Sequence, residues 1–274
     1  MNFVDFRPSS ILSTLLNKPS PLVYSDNFIY SMLRKTQTQM WVIAAPKTGS
    51  TWLSAMLENY LGWESRSLTH SFDRREQEPS LRALAEAASI DKVLWRHQHT
   101  RASKPTLELI SRASIWPIIQ TRDIHDTVVS CCDHFLHEST VCPMAYMDEL
   151  HWSLLDEATR LQFIVDMVAP WYFNFYAGWF ASELVRNKTA YVCQYENLKL
   201  DPCGELLRIC EQFGLPRSQS KAQAAVDRTA YQPTRLNKGV IGRGDKLSKA
   251  QKASLARMRN YYSDIDFSAA GFPN

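Results

Sequence analysis

The stretch Met40-Trp41-Val42-Ile43-Ala44-Ala45-Pro46-Lys47-Thr48-Gly49-Ser50-Thr51-Trp52 decides how this chain is read. Its first six residues are a short apolar run without polar alternation, the pattern of a strand buried on both faces. Pro46 to Thr51 break the run. Leu53, Met56, Leu57, Tyr60 and Leu61 then recur at the i, i+3, i+4, i+7, i+8 spacing of a buried helical face. The segment predicts strand, tight loop, helix. Such a loop points unpaired backbone N–H groups and the positive end of a helix dipole at any anion placed there. Gly49 lets the backbone approach a phosphate closely, Lys47 adds a point charge, and Ser50 and Thr51 add hydroxyl donors. Hydroxyl residues at a helix start also serve as plain caps, so this motif alone leaves both an anion site and an ordinary turn open. It is not a Walker loop, because the order G-x-x-x-x-G-K-[ST] is absent and Lys47 precedes the glycine.

Further strands are predicted at Lys92–His97, Ile115–Gln120 and Ala190–Gln194, the second of these with Pro117 demanding an offset start or a bulge. Helices are expected over Glu76–Ser89, from about Asp126, over Cys203–Phe213 and over Ser248–Tyr262. Short apolar strands alternating with helices mean a parallel sheet covered on both faces. The expected fold class is therefore α/β, a three-layer sandwich with a central parallel sheet of about five strands, nucleotide-kinase-like in plan. All 274 residues are read as one domain, with residues 1–38 as an N-terminal arm broken by Pro8, Pro19 and Pro21.

A composition with 45% hydrophobic and 22% charged residues excludes a disordered or collagen-like chain, and a net charge of +3 is too weak to indicate nucleic acid. The six cysteines form no C-x-x-C pair, and Met1 to Pro8 lack the basic and apolar regions of a signal peptide. The uncharged stretch from Met167 to Ala181 falls short of the ~20 residues that span a bilayer. A reduced, cytoplasmic enzyme is the expectation.

Two more segments carry anion chemistry. Thr121-Arg122-Asp123 closes the third predicted strand, and ligands of open parallel sheets sit beyond the carboxyl ends of strands. Arg122 thus falls near the crevice of Lys47, and Ser130, on the following helix, can turn back towards it. Asn237-Lys238-Gly239-Val240-Ile241-Gly242-Arg243-Gly244 is a basic loop with three glycines in six residues, suited to folding over an anion or to a flexible surface.

These three segments, in this order, resemble the sulfotransferase family that uses 3′-phosphoadenosine-5′-phosphosulfate. Pro46–Trp52 is similar to its 5′-phosphosulfate loop, including the Trp after the hydroxyl pair. Arg122 with Ser130 eight positions on resembles its 3′-phosphate motif, with Asp126 and Phe135 in familiar places. Trp171-Tyr172 and Gly178-Trp179-Phe180, followed by Tyr195-Glu196-Asn197-Leu198-Lys199, resemble its aromatic helix and the segment after it. Residues 236–274 resemble its C-terminal nucleotide clamp and helix. The resemblance covers roughly residues 38 to 262. It implies the nucleotide donor as co-substrate, no metal, and donor contacts from Lys47, Thr48, Gly49, Ser50, Thr51, Trp52, Arg122, Ser130, Tyr195, Lys238 and Gly239. Many members carry Arg-Lys-Gly where this chain has Asn237-Lys238-Gly239, and Lys238, Arg235 or Arg243 would then compensate.

Sulfuryl transfer needs a nucleophile stripped of its proton and charge neutralised on the leaving oxygens, which gives Lys47 a catalytic role beside its binding one. Arg96-His97-Gln98-His99-Thr100 offers the base at the end of the second predicted strand. The family's base lies about twenty-two residues before the 3′-phosphate Arg, so His99, at twenty-three, is favoured over His97, at twenty-five. Period-two alternation sends both to one side of a strand and does not separate them. The acceptor implied is a hydroxyl, less readily an amine, of a small molecule, glycan or lipid, bound by loops at 64–90 and 138–165. A second copy of the chain is the one protein partner considered.

Other readings stay open at this stage. A nucleotide-dependent kinase of related fold would need ATP and Mg²⁺, and the missing Walker lysine and serine weigh against it. A non-catalytic nucleotide-binding protein is opposed by Lys47 and His99. Cys131, Cys132, His134, His137 and Cys142 are dense in metal-ligand types but match no standard zinc spacing. Trp171 to Phe180 could equally be core, but they place apolar residues on almost every side of a helix, so some are expected to face a pocket or another subunit.

Overall fold

The computed structural model describes residues 37–69, 76–232 and 239–273. All but the end of the expected N-terminal arm, and Arg235 and Lys238 of the expected clamp, lie outside these residues. Five parallel strands form one sheet in the order β2-β3-β1-β4-β5, with β1 at Thr38–Ala44, β2 at Glu64–Arg66, β3 at Lys92–Gln98, β4 at Ile115–Thr121 and β5 at Tyr191–Gln194. The helices that bear on the site are α1 (Ser50–Leu61), α2 (Leu81–Glu86), α3 (Lys104–Ala113), α4 (Ile124–His137), α5 (Glu149–Leu154), α6 (Glu157–Phe163) and α7 (Ala169–Ala181). They are followed by α8 (Glu183–Arg186), α9 (Tyr195–Leu200), α10 (Pro202–Gln212), α11 (Gln219–Ala230) and α12 (Lys249–Asn260).

The apolar strands bury both faces, as their continuous pattern requires. On one face Met40, Val42, Leu94, Ile118 and Cys193 pack with Leu53, Met56 and Leu57 of α1 and with Leu206 and Ile209 of α10. On the other, Trp41, Ile43, Val93, Trp95 and Ile119 pack with α3, α4 and α7. Gln39 is one of the buried polar residues of the strands, with Gln98, Gln120 and Thr121. Its amide donates to the Ala113 carbonyl at 3.1 Å and accepts from the Trp95 indole at 2.9 Å, so no polar atom of the pair is stranded.

The four predicted strands and the helices at α1, α4, α10 and α12 are present. β2 was invisible in the sequence because a three-residue polar edge strand has no buried face to pattern it. The helix expected over Glu76–Ser89 is confined to Leu81–Glu86, where Ser80 caps it. Pro117 needs no bulge: β4 stays in register with β1 throughout, and its pairing with β5 starts only at Ile118. The irregularity lies in β3, where Trp41 faces Trp95 but Ile43 faces Gln98. That extra residue puts Arg96 and His97 both towards α1 and so reverses the facing from His97 onward.

Helix α7 corrects the expectation of an aromatic wall open to a pocket or subunit. Phe173 and Phe180 pack against Phe267, Phe173 also meets Phe272, and Trp171 stacks on Phe175. The chain's own C-terminal segment therefore covers the side of α7 that the sheet does not, and only Asn174 of this helix is exposed. Among the described residues, no helix is long and apolar enough to cross a membrane.

Candidate active site

Strand order reverses about β1, which lies between β3 and β4, and the crevice beyond their carboxyl ends is where open parallel sheets bind ligands. Lys47, His99 and Arg122 each leave one of these three strands. Direct bonds tie them together: Arg122 donates to the Lys47 carbonyl at 3.0 Å, and the His99 ring bonds the Ala44 carbonyl at 2.8 Å.

The loop after β1 is turned by two left-handed residues, Lys47 (φ 63°) and Gly49 (φ 84°). At Gly49 a side chain is excluded twice over, since a Cβ would also lie 2.7 Å from the Tyr195 ring. The Thr48 hydroxyl donates to the Ala45 carbonyl at 2.8 Å, and Gln120 donates to the Thr48 carbonyl at 2.9 Å, so Thr48 closes the loop and its side chain is spent there. No side chain caps α1, which leaves its first N–H groups pointing out of the helix. Ser50 is buried at the helix start, while Thr51 and Trp52 are partly exposed, with the Lys199 ammonium 5.6 Å over the Trp52 ring.

Arg122 is 5% exposed, and its guanidinium lies 4.4 Å over the Tyr195 ring. It donates to the carbonyls of Lys47 and Val240 at 3.0 and 3.1 Å and lies 3.7 Å from the Asp126 carboxylate. Its buried Nε has no protein partner among the described residues, and neither has the buried hydroxyl of neighbouring Thr121. Buried polar atoms left over beside a capless helix start fit an anionic ligand. Asp126 receives the backbone N–H groups of Gly242 and Gly244 at 2.9 and 2.8 Å, and Arg243 pairs with Asp133. The glycine loop is thereby fastened to α4. Ser130, buried one turn beyond Asp126, shares that face of the helix. Gly239 begins the described part of the loop with φ 60°.

His97 and His99 lie with ring centroids 6.1 Å apart, on one side, as alternation required. The β3 irregularity turns His97 towards α1, where Ser54 lies 3.3 Å from its Nδ1. His99 is held differently. A carbonyl can only accept, so Nδ1 carries the proton that bonds Ala44, and Nε2 is left as the acceptor. The His99 backbone N–H donates to the Gln77 side chain at 2.7 Å. The ring is partly buried, and desolvation pushes its pKa below the ordinary 6.5 despite the carbonyl bond.

Several contributors had no clear sequence signal. Tyr172 of α7 donates to the Pro46 carbonyl at 2.8 Å and Tyr176 accepts from the Arg122 backbone N–H at 3.3 Å, so the aromatic helix holds both the loop after β1 and the end of β4. Their i, i+4 spacing was readable, but not their targets. Glu138, just past α4, pairs with Lys47 at 3.4 Å and with His134 at 3.0 Å. The cluster of metal-ligand types is divided among separate partners: Cys131 bonds the Tyr172 hydroxyl at 3.0 Å, His134 meets Glu138, and Cys142 bonds the Ala145 carbonyl at 3.3 Å. Burial drives the Cys131 thiol up to about 12, so it stays protonated and unreactive.

Comparison with known proteins identifies the fold and the family. The crystal structure of mouse sulfotransferase SULT7A1 complexed with PAP is similar at a TM-score of 0.62 and 17% identity, over 89% of this chain and 91% of that one. A retinol dehydratase in complex with androsterone and inactive cofactor PAP is similar at 0.55 and 12%, over 90% and 85%. Sulfotransferase STF9 from Mycobacterium avium is similar at 0.52 and 13%, over 86% and 79%. These likenesses establish a shared fold. No curated protein sequence matches the chain significantly. Residues 37–254, which carry every strand, the loop after β1 and the glycine loop, match the sulfotransferase domain; the chain belongs to that family.

Proposed function

We propose that the protein moves the sulfuryl group of 3′-phosphoadenosine-5′-phosphosulfate onto an acceptor hydroxyl, with His99 as general base and Lys47 neutralising the leaving oxygens. The observation that carries this reading is the junction of three strand ends, Lys47, His99 and Arg122, through the Ala44 and Lys47 carbonyls. Because Nδ1 is committed to Ala44 and burial lowers the pKa, the His99 imidazole is neutral at pH 7, with Nε2 open to an acceptor proton. Lys47 sits where charge grows as the sulfuryl group leaves, an interaction stronger in the transition state than in the ground state. Arg122, with its leftover Nε, and the helix α1 N-terminus supply donors for the two ends of a doubly phosphorylated nucleotide. In this reading Ser50, Thr51, Trp52, Ser130 and Gly239 are further donor contacts, while Tyr195 acts by supporting Arg122 and Gly49. PAP in the solved relatives supports the choice of donor. Six unpaired cysteines support a reducing, cytoplasmic setting.

Calorimetry tests the donor. The product, adenosine 3′,5′-bisphosphate, binds without added metal, and ATP with Mg²⁺ binds more weakly, because ATP has no 3′-phosphate for Arg122. An ATP affinity equal to or tighter than that of the bisphosphate overturns the proposal.

A further inference from the structure

Lys47 is not a free cation. Its ammonium, in a side chain only 12% exposed, faces the Glu138 carboxylate at 3.4 Å, and the other carboxylate oxygen faces His134 Nδ1 at 3.0 Å. Glu138 thus faces Lys47 with one carboxylate oxygen and His134 with the other. Burial works to raise the Glu138 pKa, but Lys47 and then His134 outweigh it and hold the group below the usual carboxylate range. It carries its negative charge at neutral pH. Any donor oxygen hydrogen-bonded to Lys47 consequently lies within about 6 Å of a fixed carboxylate.

We propose that Glu138 is a specificity-determining residue that selects a terminal sulfuryl group over a terminal phosphoryl group by charge. The two groups are close in size and shape. A terminal sulfuryl carries one negative charge at neutral pH, whereas a terminal phosphoryl carries close to two. Lys47 and Glu138 together are neutral, so the pair leaves no surplus cation at the terminal group to absorb the second charge. At a separation of a few ångströms in a partly buried crevice, the added repulsion is enough to shift affinity by about tenfold. Discrimination is thus built into the lysine's own partner. This assignment rests on the donor reading above and adds the reason that the donor ends in a sulfuryl rather than a phosphoryl group.

Glu138→Gln removes the charge and keeps the shape, at a helix end where the side chain is one-third exposed. The probes are the phosphosulfate donor and adenosine 3′-phosphate 5′-diphosphate, which replaces sulfur by phosphorus, each titrated without acceptor. The wild type prefers the phosphosulfate. In Glu138→Gln both nucleotides tighten, the diphosphate about tenfold more than the phosphosulfate. Glu138→Asp keeps the wild-type preference. Equal shifts for both nucleotides in Glu138→Gln, or equal loss of preference in the Asp and Gln variants, overturn the assignment. Titration of the wild type with adenosine 3′,5′-bisphosphate reports on the donor reading separately: failure to bind defeats that reading, whereas binding with equal shifts in the variant defeats only the role of Glu138.

Discussion

At the scale of single residues, two histidines six ångströms apart have been given different chemistry by their partners. His99 has its tautomer set by a backbone carbonyl, and His97 meets a hydroxyl on α1. His99→Ala is expected to leave bisphosphate affinity intact and to cut turnover by about 10²–10⁴, while His97→Ala retains most activity. A dead His97→Ala beside a near-normal His99→Ala would move the base two residues back. The pH profile gives an independent reading. The base works only when neutral, and its pKa is lowered by desolvation. The rate therefore rises with pH through a value below 6.5 and is level above it. An acid limb centred at or above 6.5 contradicts that environment. The same lowering disfavours protonation in the folded state, so this group's contribution to stability is present above pH 6.5 and declines as the pH falls.

At the scale of elements, the glycine loop and α4 act as one unit through Asp126. Its carboxylate accepts from two glycine N–H groups and faces Arg122, so it sets the loop and that buried arginine together. Each charge-assisted bond contributes about 1.5–3 kcal/mol. Asp126→Ala is expected to raise the bisphosphate dissociation constant at least tenfold and to speed tryptic cleavage at Arg243, whose side chain is now pinned to Asp133. Unchanged cleavage at that site would mean that Asp126 is not what holds the loop. Gly244 shows how close the docking is: a Cβ there would lie 2.4 Å from that of His125, with the His125 and Asp126 backbone just behind it. The β3 irregularity is the other device at this scale, since without it His97 would face the Trp95 side of the sheet.

At the scale of the whole molecule, one sheet separates two cores, and we propose that they fold as a single domain. Leu57 lies in the core on the α1 side and Phe173 in the core on the α7 side. Leu57→Ala should cost about 2–5 kcal/mol and Phe173→Ala about 3–5 kcal/mol, both by moving the same transition. Urea unfolding followed by far-ultraviolet circular dichroism and by tryptophan fluorescence checks this. Coincident curves for both variants are expected, and curves that separate would mean that the two faces unfold as independent units.

By itself, the sequence determined the elements that depend on neighbours along the chain. The apolar run to Ala45, the glycine turn at Gly49 and the helical spacing from Leu53 are local patterns, and local sterics and hydrogen bonding make them strand, loop and helix. The same holds for Arg122 at a strand end and for the glycine spacing of residues 239–244. Family resemblance then ordered those segments into a sulfotransferase plan. Tertiary structure alone decided what each side chain meets. The Tyr172 and Tyr176 hydroxyls, the Gln77 clasp on His99, the docking of Phe267 and Phe272 over α7, and the pairing of Glu138 with Lys47 join residues far apart in the chain. No periodicity records such pairs, because period reports which face a residue occupies and not what lies across from it. The β3 irregularity is the sharpest case: a single extra residue reverses the facing of a strand end, and only pairing with β1 reveals it.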